Sequence, residues 1–190
     1  MQTILIGLST ILGLLAALVY AWAILRGQAR PHRTTRVVLL VIGSVSFLSL
    51  LAQGDQVAVW LAGGAFLFSV VIFILSLKYG MGGWAKIDIL SLIIAIVGIV
   101  LWQITNDPIL ALYLSIGADL AGMVPAMVKT YHLPKTESAP VFFLFAVASL
   151  LNILAVESWT VEEIAFPGYL LVVNLVMVGL ILRPMIDRYT

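Results

Sequence analysis

One carboxylate and one proline stand inside an apolar run where each is costly. Asp119 and Pro125 lie between Pro108 and Lys129, in a stretch long enough to cross a bilayer, which takes ~20 helical residues at ~1.5 Å rise each. An ionised carboxylate at mid-membrane costs at least ~2.5–3.5 kcal/mol, so Asp119 should face protein or water rather than lipid. Two chemistries suit it: coupling to a proton, or a polar contact to a solute. Pro125 leaves the carbonyl of Ala121 without its intrahelical donor, and a neighbouring helix or internal water must replace it. Counted from the span ends, Asn174, Ser149 and Ser46 reach a depth similar to that of Asp119, as a polar pocket at the midplane requires. Asn152 and Ser69 complete the candidate set. Such residues also have a plainer role, since Ser and Asn in membrane helices bond to neighbouring helices for roughly 0.6 kcal/mol each.

The elements that would position these residues follow from hydropathy. With 63% hydrophobic and 10% charged residues and a mean hydropathy of +1.16, the chain is far less charged than a soluble domain, where about a quarter of residues carry charge. It reads as an all-α polytopic membrane protein. Seven spans are expected, at 3–25, 37–53, 57–77, 87–103, 108–128, 139–156 and 163–182. The first is too long for a signal peptide and lacks a basic leader, so it reads as a retained span. Cysteine is absent, which excludes disulfides, thiolate nucleophiles and thiolate metal sites.

Charge sets the expected orientation. All ten Lys and Arg follow spans one, three, five and seven: Arg26, Arg30, Arg33 and Arg36; Lys78 and Lys86; Lys129 and Lys135; Arg183 and Arg188. The opposite side carries Asp55, Asp107, Glu157, Glu162 and Glu163, with Trp60, Trp102 and Trp159 as interfacial anchors. By the positive-inside rule the N-terminus is external and the C-terminus cytoplasmic. The glycine-containing loop KYGMGGWAK lacks the strand and helix context of a phosphate loop and reads as a flexible joint. Ser9, Gly13, Ala17 and Ala21 form a small-residue stripe that lets another helix approach span one.

A repeat accompanies this pattern. Shifting the chain by 103 residues lays RGQARPHRTT, from Arg26, on KTYHLPKTES, from Lys129; Pro31 falls on Pro134 and Ser46 on Ser149. Spans one to three thereby map onto five to seven. A three-helix unit ends on the far side of the membrane, so two parallel copies need one intervening helix, and span four is that linker. The expected organisation is a first bundle at 1–77, a loop and linker at 78–107, and a second bundle at 108–190, a 3+1+3 plan of parallel repeats with a site between them.

The segment GMVPAMVKTYHLPKTES resembles a degenerate PQ-loop motif, and with the 3+1+3 plan the chain resembles the SWEET sugar transporters and the bacterial nicotinamide riboside transporters. Ala126 stands where that motif has glutamine, and Trp22 occupies the position matching Pro125 in the first repeat. The resemblance implies that Pro125 and Pro140 act as hinges and that Asn174 contacts solute; the matching first-repeat position is Val71, with Ser69 the nearest polar residue. It further implies alternating access in a bacterial inner membrane, membrane lipid and a small polar solute as partners, further copies of the chain as the protein partner, and no nucleic acid, cofactor or enzymatic activity.

Other seven-span functions fit the residues less well. A retinal protein needs a lysine within the last span, and 163–182 has none. A zinc hydrolase needs His and carboxylate ligands at depth, whereas His32 and His132 fall in basic loops. The alternative to a transporter is a non-transporting membrane sensor or scaffold. The orientation is testable directly, because any introduced cysteine is the sole thiol. A membrane-impermeant maleimide applied to intact cells should label a cysteine at Ser158 and spare one at Gln28; labelling at Gln28 alone would invert the topology.

Overall fold

The computed structural model describes residues 2–53, 56–83, 85–105 and 107–183. These form α1 (Gln2–Leu25), α2 (Arg33–Gln53), α3 (Gln56–Tyr79), α4 (Lys86–Ile104), α5 (Pro108–His132), α6 (Ala139–Leu154) and α7 (Val161–Leu182), with a 3-10 turn at Pro134–Thr136. The protein is all-α, with a helix at every expected span. Among the described residues, four stretches, Gln2–Leu25, Lys86–Ile104, Ile109–His132 and Glu163–Leu182, are long and apolar enough to cross a membrane, and the apolar helix Ala139–Leu154 is shorter. Asp55 and Arg188, and the side chains of Trp60 and Glu162, lie outside the described residues.

Helix ends depart from the hydropathy spans where charges find partners. The first turn of α2 is Arg33 to Arg36, and α5 continues through Lys129 to His132. A hydropathy boundary stops at the first charge. The helix goes on while its backbone bonds are made and its charges are paired.

Contacts divide the chain into two compact units, Met1–Ala29 with Met127–Thr190, and Arg30–Ala126. In the first, α6 packs on both α1 and α7. Ser9 Oγ donates to the Ala148 carbonyl at 2.9 Å, and Tyr20 meets Phe142 edge-on with centroids 6.3 Å apart. These two contacts fix α1 antiparallel to α6. The buried line on α1 runs through Ser9, Ala16, Ala17, Tyr20, Ala23 and Ile24, so Gly13 and Ala21 of the expected stripe are only half-buried. A strict four-residue spacing drifts around a helix of 3.6 residues per turn, and the true contact line corrects for it. Large apolar residues of α1, including Leu14, Leu18 and Trp22, are exposed, as befits a helix with lipid outside and small residues at its contacts.

In the second unit α2 packs on α3 and α4, around Val38, Ala95 and Ala121 with Ile42 and Leu92 against them. Small residues bring α5 close. A Cβ on Gly98 would lie 3.1 Å from the Ala118 Cβ, and one on Gly122 would collide with Val38.

The first helix belongs with α6 and α7, and α4, expected to link two bundles, packs on α2. A sequence repeat records likeness between segments and is silent about which segment each one packs against.

The close approach at Gly122 makes a stability test. Gly122→Val should lower stability by about 1–3 kcal/mol through overpacking against stiff Val38, read as thermal unfolding in detergent. Gly117→Ala, at a position with no atom within 4 Å of the added Cβ, should be neutral or slightly stabilising.

Candidate functional site

The six candidate polar residues fall three to each unit. Asp119 on α5, Ser46 on α2 and Ser69 on α3 are half-buried in the Arg30–Ala126 unit. Asn174 on α7 and Ser149 on α6 are buried in the other unit, where Asn152 is exposed near the end of α6. Asn174 Nδ2 donates to the Leu170 carbonyl at 2.7 Å, and Ser149 Oγ to the Phe145 carbonyl at 2.9 Å. Both donors are thereby satisfied one turn back on their own helices. Asp119 engages in a polar interaction within the protein.

The two prolines differ in place. Pro125 is fully buried inside α5. Pro140 is exposed in the first turn of α6, where a missing N–H removes no helical bond.

Sequence reading passed over the buried charges at the basic ends. In the first unit, Glu137 accepts from Tyr20 Oη at 3.0 Å and forms an ion pair with Lys129. All three residues are buried. The segment resembling a PQ-loop motif is therefore closed by its own charges onto α1. At the same end the guanidinium of Arg183 donates to the Tyr131 carbonyl and lies 3.9 Å over its ring.

The second unit has a comparable centre at Asp88. One carboxylate oxygen accepts from the Gly83 N–H at 3.0 Å and the Ala85 N–H at 2.9 Å, and the other lies 3.3 Å from His32 Nε2. Located in the first turn of α4, Asp88 supplies the acidic half of a capping box. Met81 pairs with the strand-like segment beside α2: its N–H donates to the Pro31 carbonyl at 3.0 Å, and its carbonyl accepts from the Arg33 N–H at 3.1 Å. Arg33 also donates to the carbonyls of Ser76, Gly82 and Leu77 at 3.3, 3.4 and 3.5 Å, tying the end of α3 and the loop after it to the start of α2. Gly82 has φ +73°, and the His32 ring fills the space a Cβ would need. The loop expected to be a flexible joint is pinned on three sides. Its partners, His32 and Arg33, are too distant in sequence for local composition to reveal.

Acids elsewhere also hold helix starts. Asp107 Oδ1 accepts from the Ile109 and Leu110 N–H groups at 2.8 and 3.2 Å, capping α5. Glu163 accepts from the Ser158 N–H at 3.1 Å. One signal could have exposed Glu137 and Asp88: each is a lone acid in an otherwise basic loop region, where a buried partner is the economical explanation. Among the described residues no three His, Asp or Glu side chains group as metal ligands.

Asp88 offers a graded test of the pinned loop. Asp88→Ala removes two backbone bonds and the contact to buried His32, and should cost about 2–4 kcal/mol in thermal unfolding. Asp88→Asn keeps an oxygen for the Gly83 and Ala85 amides and should lose roughly half as much. Equal losses would show that only the charge matters.

No family model matches this chain, nor does any curated protein or solved structure, so the family resemblance stands on topology and the quoted segment alone.

Proposed function

We propose that the protein is a small-solute membrane transporter of the SWEET and PQ-loop kind, working by alternating access around polar groups at mid-membrane. One observation carries this reading. The boundary between the compact units falls inside α5 at Ala126 and Met127, directly after buried Pro125, where the helix has lost its bond to the Ala121 carbonyl. A helix weakened at this crossing suits bending during transport. Asp119 lies less than two turns before that crossing, where a bend would alter its surroundings.

All seven helices span the membrane in this reading, with the basic ends cytoplasmic. The 3+1+3 plan of parallel repeats, with bundles at 1–77 and 108–190 around a central site, belongs to the same proposal. Asp119 serves as the proton-coupling group or as a polar contact to the solute.

Proteoliposomes with an imposed proton gradient, loaded against radiolabelled sugars and nicotinamide riboside as probes, test the proposal. Asp119→Asn should abolish proton-driven uptake while preserving the melting temperature, because the amide keeps shape and hydrogen bonding but does not titrate. Asp119→Leu should abolish binding as well. A structural Asp119 would instead give a Leu variant with lowered melting temperature and little specific loss of transport. Normal uptake by a stable Asp119→Leu protein would remove Asp119 from the mechanism.

A further inference from the structure

We propose that Tyr20, Lys129 and Glu137 form a releasable clasp holding segment 133–138 shut across the basic end of the unit made by α1, α6 and α7. No assumption about transport enters it. Three elements meet on one carboxylate: α1 through Tyr20 Oη at 3.0 Å, α5 through Lys129 Nζ, and the segment itself through Glu137. The segment's internal bonds are those of a single turn. The N–H of Thr136 donates to the Leu133 carbonyl at 3.0 Å, and that of Glu137 to the Pro134 carbonyl at 3.3 Å. Ser138, at the start of α6, makes no side-chain cap bond. Apolar cover is slight as well, since Leu133 is 45% exposed and Lys135 is exposed, leaving Pro134 as the buried apolar contact. The segment continues from α5 through the Leu133 N–H, which donates to the Lys129 carbonyl at 2.7 Å, and rests against α7; Glu137 is the side chain that ties it to α1 and to Lys129.

The chemistry of that fastening favours release. Opening an apolar seal loses hydrophobic burial with nothing in return. Opening a buried ion pair returns both ions to water, and the recovered hydration offsets most of the lost attraction, so closed and open states lie close in free energy. Release would uncover Lys129 at an end whose sequence also carries Arg26, Lys135 and Arg183.

Hydrogen exchange of the full-length protein in lipid nanodiscs, with tryptic nicking after Lys135, tests the clasp. Glu137→Gln should speed exchange across 133–138 roughly tenfold, and Tyr20→Phe by a smaller factor, as charged and neutral hydrogen bonds are lost. Exchange in α6 between 141 and 151 should not change. Replacing both charges, Lys129→Met with Glu137→Leu, should give a segment that opens no faster than the wild type, because the apolar pair gains nothing from water. Unchanged exchange in Glu137→Gln, an equal rise throughout α6, or faster opening in the double variant would each overturn the proposal. Should Glu137→Gln fail to fold, Tyr20→Phe decides alone: a rise confined to the segment supports the clasp, and no rise or a unit-wide rise refutes it.

Discussion

A buried carboxylate at the basic end of each unit is the contact on which its loops depend. Charges withdrawn from water must be paired, and each pairing brings together elements that no local rule connects. Glu137 joins α1 to the end of α5; Asp88 joins the start of α2 to the start of α4. Arg33 and Arg183 extend the same logic to helix carboxyl ends, donating to carbonyls in or beside the last turns. Much of the positive charge that reads as an orientation signal is therefore also structural, holding loops down on the helices they connect.

Between these ends the helices associate by shape rather than by hydrophobicity, since lipid offers leucine as good a surrounding as protein does. Ala16, Ala17 and Ala23 line the face of α1 that is covered, and Ala95, Ala118, Ala121 and Gly122 do so around α5. Ser9 and Tyr20 then fix the register of α1 on α6, which small residues alone would leave free to slide. Along α4 the exposed residues are nearly all Ile, Val and Leu, the surface expected of a helix whose outer face meets acyl chains.

The helix α5 concentrates the features that set this protein apart from a uniform bundle. Within 25 residues it carries a carboxylate inside an apolar run, small residues for close packing, an internal proline and a lysine in its last turn. Pro125 interrupts the bonding between the portion assigned to one unit and the portion assigned to the other, and Lys129 secures the latter through Glu137.

Hydropathy and charge alone determined that the chain is all-α, where its helices lie, and which loop ends are basic, because each of these depends on summed transfer energies over a window of neighbouring residues. They also marked Asp119 and Pro125 as anomalies, since each violates a local rule by itself. Tertiary structure decided what depends on distant partners. Lys129, placed in a loop by hydropathy, is a buried helical residue because Glu137 pairs with it. The loop at Gly82 is pinned because His32 and Arg33 reach it. Pro140 lies in the first turn of α6, Asn174 bonds within its own turn, and α1 packs on α6. None of these partnerships is a property of a single stretch, and a pattern of residue types does not contain the direction in which a folded neighbour will approach.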